Sequence, residues 1–340
     1  MAIDKGMYSG TEFKAAIKAE TTLGTPVVVG MQYVNIDAPL APARNPELFV
    51  GIRSGSGRVS KAADVYASQY GKEKSISMSG LYDTTVAPIL IENCLGLIIT
   101  ATVTATSPAC YEIPYNYTPP ECAHGDTDTD NTGALTVANI SPEGSTSEIY
   151  PGCFVDELKL TADSGSDGGR FHFDTTFKTR YNISTAQAPP TTPAVYGTTY
   201  RTIYDLAGAA AVCQFGGVDV ILESVELSLK SNVQFFGSGL LGIPDTMGRG
   251  VPEFEVNGVF GMKFDANTAG NNIKFMAGTV VVVAMYNNAW GSIPTFGWWG
   301  QYARITADVN IEEVKSGAFV KIPVKFLAHS VDSDVIQIVP

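Results

Sequence analysis

The densest set of metal-ligand residue types in the chain is ECAHGDTDTD, which holds Cys122, His124, Asp126, Asp128 and Asp130. Aspartates at alternate positions open a calcium loop, where successive carboxylates turn toward one cation. Here Asn131 stands where that loop needs its turn glycine, and Val137 where it needs the bidentate glutamate. The stretch therefore reads as a solvated acidic loop, and neither a metal nor a cofactor is expected. Of three histidines, His172 lies between Phe171 and Phe173 on an alternating segment and His329 lies near the end. No GxSxG or HExxH accompanies them, and GSGLLG at 237–242 lacks the strand-to-helix setting of a phosphate loop. No catalytic set can be assembled, so an enzyme is not expected.

What remains is a set of carboxylates on alternating segments: Glu73, Glu157, Glu226, Glu253, Glu255 and Glu312. Around the third, Ser224, Glu226, Ser228 and Lys230 alternate with Val225, Leu227 and Leu229. Around the next two, Glu253, Glu255, Asn257 and Lys263 alternate with Phe254, Val256, Phe260 and Met262. A period of two puts such residues on opposite faces of a strand, one buried and one wet. The wet face is either the ordinary solvated side of an antiparallel sheet or a wall whose negative potential repels phosphate.

The segments that position these carboxylates recur. MQYVNID (31–37) reads as a strand, followed by a long loop over 38–72, a strand over 73–82, and a helical stripe from Asp83 to Gly96. Downstream, the strand at 221–229 is followed by a long loop over 231–251, a strand over 252–264, and Asp265 to Gly278. Each Asp follows an aromatic residue, Tyr82 or Phe264, which points to an internal duplication. The expected organisation is an N-terminal arm over 1–30, a first β-domain over 31–185, a linker over 186–199, and a second β-domain over 200–340 with a C-terminal arm. TEFKAAIKAETTLGTP reads as part of the first arm. Residues 101–150, rich in Thr, Pro, Gly and Asp, read as a loop insertion. GCFVDELKLT and RFHFDTTFK, flanking DSGSDGG, read as a hairpin. Toward the end, DVNIEE and AFVKIPVKFLAHS are expected to pair, and SDVIQIVP reads as a last edge strand or an arm. Regularly spaced strands with few helices predict a mainly β fold, a sandwich or half-barrel in each domain. The long Gly- and Pro-punctuated loops are expected to be ordered by neighbouring subunits.

The chain has 340 residues, 45% of them hydrophobic and only 16% charged, which describes folded protein and not disorder. A net charge of −12 with no Lys/Arg cluster speaks against gripping nucleic-acid phosphates. The start, MAIDKGMYSGTEF, lacks a basic then apolar leader pattern. The longest apolar run, Val280 to Tyr286, is too short to span a bilayer, so no membrane partner is expected. The five cysteines (Cys94, Cys110, Cys122, Cys153, Cys213) contain no CxxC and read as mostly reduced and buried in a cytosolically made protein. Cys110 and Cys122 flank YEIPYNYTPPE and could bridge.

ETTLGTP, KSISMSGLYD, TVAPILIENCLG and the pairing of VELSLKSN with EFEVNGVFGMKFD resemble tail tube proteins of long-tailed bacteriophages. The resemblance covers most of the chain and implies a structural virion protein, made in the host cytoplasm, whose subunits stack as rings into a tail tube. It implies β-strands lining a channel through which the genome passes unbound, and loops and arms that contact neighbouring subunits and rings. It also implies tape measure, tail terminator and distal tail proteins as partners. Glu226, Glu253, Glu255, Glu73 and Glu157 are then the candidate lumen-facing residues. With two domains per chain, three chains would close a ring of pseudo-sixfold symmetry, and six single subunits are the other solution. The insertion at 101–150 departs from a minimal tube subunit. A reading from another class is a β-sandwich module binding carbohydrate or acting as an adhesin, with Trp290, Trp298 and Trp299 stacking on sugar rings. The competing reading of those tryptophans is core or interface packing.

Overall fold

The computed structural model describes residues 12–43, 47–50, 65–68, 73–96, 111–113, 122–123, 133–142, 147–181, 196–206, 212–215, 218–219, 221–237, 246–250, 253–262, 280–287, 296–305, 320–328 and 336–339. The first half holds β1 (Lys14–Ala19), β2 (Gln32–Val34), β3 (Ala41–Ala43), β4 (Glu47–Val50), β5 (Val65–Ser68), β6 (Lys74–Leu81), α1 (Val86–Leu95), β7 (Tyr111–Ile113), β8 (Cys122–Ala123), β9 (Leu135–Ile140), β10 (Glu148–Asp163) and β11 (His172–Thr179). The second holds β12 (Val212–Phe215), β13 (Val218–Asp219), β14 (Ile221–Lys230), β15 (Gln234–Phe236), β16 (Thr246–Gly248), β17 (Glu253–Met262), β18 (Val280–Tyr286), β19 (Gly297–Ile305), β20 (Val320–Ala328) and β21 (Ile336–Val339). The protein is mainly β, and every described ladder is antiparallel.

The pairings fall into two chains of the same order. In the first half they run β2–β1–β9–β10–β11–β6–β3, and in the second β13–β12–β18–β19–β20–β17–β14. Matched strands also occur in matched sequence order. Each long loop carries a hairpin of its own, β4 with β5 in the first and β15 with β16 in the second. The two halves join where β10 pairs with β14 over Glu157–Asp163 and Ser224–Lys230, so the sheet is continuous across the 186–199 stretch. Among the described strands, β7, β8 and β21 have no counterpart in this scheme. The stretch 265–278, expected to repeat α1, lies outside the described residues, as does DVNIEE; within the described residues β20 pairs with β19.

Alternation places the core. Ile76 and Met78 on β6, Phe173 and Phe177 on β11, Leu158 and Leu160 on β10, and Leu227 and Leu229 on β14 are buried together. The helix α1 lies over this face with Val86, Leu90, Ile91 and Leu95 buried. Asp83 starts it: its Oδ1 accepts the Thr85 and Val86 N–H groups at 2.8 and 2.9 Å, which otherwise have no helical partner. Pro88 is tolerated in the first turn, where the missing N–H costs little. Gly96, at φ 91°, ends the helix in a conformation that favours glycine.

The N-terminal arm reading fails at β1, which is a strand between β2 and β9. Ala15, Ala16 and Ile17 are buried in succession, because both faces of β1 are covered and its sequence therefore does not alternate. The loop over 231–251 is likewise not a plain arm at its base. It folds back as the β15–β16 hairpin, and β16 pairs with β8 from the insertion. The tail SDVIQIVP forms β21, which adds to β19 and receives β7 on its far side.

Candidate functional site

The ladders bring the candidate carboxylates onto one face. Directly opposed residues in an antiparallel pair point to the same side. Glu157 opposes Lys230, Lys230 opposes Glu253, Ser228 opposes Glu255, and Glu226 opposes Thr161 and Asn257. On the other side Glu157 opposes Thr176, and Lys178 opposes Ser75, with Glu73 two residues before Ser75 on the same phase. The face away from the core is thus a band of Ser, Thr, Glu and Lys running through β6, β11, β10 and β14, with the backbone of β17 in register beside it.

The band is a mosaic and not a run of one sign. Lys178 Nζ lies 3.1 Å from Asp156 and 3.5 Å from Glu73, while Glu157 is approached by Lys159 at 3.6 Å and Lys230 at 3.7 Å. Burial pulls the Lys178 ammonium down, but the Asp156 hydrogen bond and charge, with Glu73 behind them, outweigh it and hold Lys178 above the ordinary lysine value. Glu73, Asp156 and Glu157 therefore each offset lysine charge on the same face. The sequence pattern pointed to the carboxylates; it did not show how closely the lysines interleave.

Asp156 is the residue that sequence reasoning missed. It is the extra residue of a bulge between Val155 and Glu157, where alternation slips by one. Its Oδ2 holds Lys178, and its Oδ1 accepts the Val233 N–H at 2.9 Å, at the root of the 231–251 hairpin. The Asp156 carbonyl accepts the Ser231 N–H at 2.9 Å, and Ser231 Oγ donates to the Val155 carbonyl. An open hollow of about 420 Å³ lies at this junction, lined by Glu73, Lys178 and residues 232–236, with Phe236 half exposed.

The other strand of the hairpin is held from the far side. Arg249 is buried; its Nε donates to the Asn93 carbonyl at 3.1 Å, its Nη2 to the Gly133 carbonyl at 3.4 Å, and its guanidinium lies 4.4 Å from the Phe154 ring centroid. A cation on the last-turn carbonyls of α1 also suits the helix dipole. Asn93, itself buried, donates to the Gly133 carbonyl and accepts from Val155 N–H. A second buried group, Glu20, ties the turn after β1 to the body: it accepts from Gly24 N–H, Gly152 N–H and the Thr136 hydroxyl at 2.8 Å each. Burial raises the Glu20 carboxyl above its ordinary value although all three hydrogen bonds favour its charged form.

His172 sits on the wet face between Asp167 at 3.0 Å and Asp37 at 3.5 Å. Cys94, Cys153 and Cys213 are buried free thiols, and burial pushes Cys94 up to about 12. Among the described residues no group of three metal-ligating side chains is present, and no helix is long and apolar enough to cross a membrane. His124, Asp126, Asp128, Asp130, Cys110, His329, Trp290 and Glu312 lie outside the described residues, and β8 and β19 are described at Cys122 and Trp299 for their backbone alone. Trp298 is 2% exposed and packs edge-on to Phe171 and Phe296, so it is core and not a sugar platform. A family model described as phage tail tube protein matches residues 14–312. No curated protein matches the chain.

Proposed function

The chain belongs to the phage tail tube protein family, a structural component of the virion tail that assembles into tubes, and we propose that it does so as rings of three two-unit chains. The observation that carries this reading is the repeated pairing order, seven strands in each half, joined by the β10–β14 ladder. Two units in one chain, the first from β1 to β11 and the second from β12 to β20, present the same edges twice. A head-to-tail contact that recurs at a fixed angle closes into a ring. In this reading the contact between chains copies the one inside the chain. β14 adds to β10 within a chain, and its counterpart β3, which among the described residues pairs with β6 alone, is the strand that adds to the next chain.

The wet face of the continuous sheet then lines the lumen, with Glu226, Glu253, Glu255, Glu73 and Glu157 in its wall and the genome passing without specific binding. Interleaved lysines make the wall a weakly acidic, self-compensated one. Its hydroxyls and paired charges give a phosphate chain no cluster of free cations to settle on. Hairpins β4–β5 and β15–β16 reach the adjacent ring, and tape measure, terminator and distal tail proteins meet the ends of the stack. The test is the rotational symmetry of purified tubes by electron microscopy, with the mass of a single ring. Three chains and pseudo-sixfold density are expected. Six chains per ring would overturn the two-unit reading and leave the family membership untouched.

A further inference from the structure

Three strands have no place in the repeated order, β7, β8 and β21, and two of them pair with each other. β21 comes from the C-terminal tail and lies on β19; its outer side is taken by β7, with Ile336, Gln337 and Ile338 opposite Ile113, Glu112 and Tyr111. β8 takes the outer side of β16, with Thr246 opposite Ala123 and Met247 opposite Cys122. Both β7 and β8 belong to the insertion expected over 101–150, whose later part is no insertion but forms β9 and the start of β10, so that what lies outside the repeated order is 97–132. That insertion leaves and rejoins the body at one point: a Cβ built on Gly133 would lie 3.2 Å from the Gly96 carbonyl oxygen. The corresponding connection in the second half, between β17 and β18, runs over 263–279 alone, against 82–134 between β6 and β9.

We propose that β7 and β8 are edge guards, which cap two strand edges that would otherwise recruit a second copy of this chain. The edge most in need of a cap is β21. Val335 to Val339 is VIQIV, β-branched at four positions of five and without charge, which is the composition of a segment that pairs with copies of itself. An uncovered edge of that kind is a template for addition of another chain. The guards are built so as not to pass the problem outward. β7 pairs over three residues, has Glu112 at its centre and is followed by Pro114; β8 pairs over two, is preceded by Glu121, and has Pro119 and Pro120 just upstream. Short length, charge and proline are what blunt an edge strand. β3, which among the described residues pairs on one side alone, is left as a sheet edge open to ordered addition.

The proposal does not depend on how many chains close a ring, because it is read on the free subunit below the concentration at which tubes form. One variant replaces 97–132 by a three-residue Gly–Ser linker across the short gap. A second keeps the insertion and carries Tyr111→Pro, Glu112→Pro and Ile113→Pro, which removes every N–H that β7 could donate. Both are compared with the parent chain by sedimentation and by amide hydrogen exchange of 336–339. The expected result is exchange at β21 faster by about tenfold or more, with association into β-rich oligomers where the parent stays single. If the deletion does not fold, the proline variant decides alone. Exchange and sedimentation equal to the parent's in that variant would overturn the proposal.

Discussion

Asp156 holds the wet face and the hairpin root with one carboxylate, and two substitutions separate those roles. Asp156→Asn keeps an oxygen for the Val233 N–H but removes the charge opposite Lys178. The pair is 3.1 Å long and its side chains are 26% and 22% exposed, while Glu73 remains 3.5 Å from the same ammonium. With a second carboxylate still in place, the loss should be about 1 kcal/mol, near the upper end for ion pairs in contact with water. Asp156→Ala removes the charge and also leaves the Val233 N–H without its acceptor, adding about 1–3 kcal/mol. At about 2 °C per kcal/mol for a chain of this size, the melting temperature should fall by roughly 2 °C for Asn and roughly 4–8 °C for Ala. Tryptophan fluorescence of the free subunit during heating reads both. Hydrogen exchange at Val233 should quicken in the alanine variant only. Equal losses for the two substitutions, or an alanine variant as stable as the parent, would show that the bond to Val233 does not anchor the hairpin.

Four further outcomes are expected. Because burial raises Glu20 above its ordinary 4.5 in the folded chain, its contribution is present below that pH and is lost as pH rises through the raised value. Melting temperatures from pH 4 to 7 should therefore show the parent losing stability with rising pH relative to Glu20→Gln, and parallel profiles would contradict this. Gly80→Ala should cost about 2 kcal/mol or more, since its Cβ would overlap the Asn35 carbonyl at the Ile36–Gly80 bridge; an unchanged urea midpoint would refute it. Changing Glu226, Glu253 and Glu255 together to Lys should leave tube assembly intact but slow DNA delivery, with the defect relieved by added salt. Normal delivery from assembled particles would count against a lumen position for these residues. Deleting 238–245, the tip between β15 and β16, should preserve β-sheet circular dichroism and block tube growth, and tubes of normal length would end the idea that this hairpin joins rings.

What the sequence made legible follows from where alternation survives folding. β14 alternates buried Val225, Leu227 and Leu229 with Glu226 and Lys230, so its polar phase could be read from the pattern, while the placing of Glu253 and Glu255 opposite Lys230 and Ser228 needed the register of the ladder. α1 was legible from its apolar stripe and from Gly96. β1 was not, because a strand covered on both faces carries no period of two and KAAIKA resembles a helix or an arm equally well. The hairpins inside the two long loops were hidden, since strands of three or four residues leave too short a pattern. Asp156 and Arg249 were hidden for another reason: their roles depend on partners 77 and 156 residues away in sequence, Val233 and Asn93. No local signal encodes such a distance.

The bulge in β10 also sets how the gene can change. Val155 and Glu157 are consecutive in the ladder with Asp156 left over between them. Upstream of that point β10 buries Phe154 and Val155; downstream it shows Glu157, Lys159 and Thr161 to the wet side. Val155 and Glu157 already oppose the neighbouring residues Phe177 and Thr176, so losing the single codon for Asp156 would close the bulge and leave both in their places on the ladder. Losing the codon for Leu158 instead would carry Glu157 onto the buried side, because one step along a strand exchanges its two faces. Of the positions in this part of β10, the bulge is thus the one whose loss leaves the inner and outer surfaces as they are, although the hold on Lys178 and Val233 goes with it.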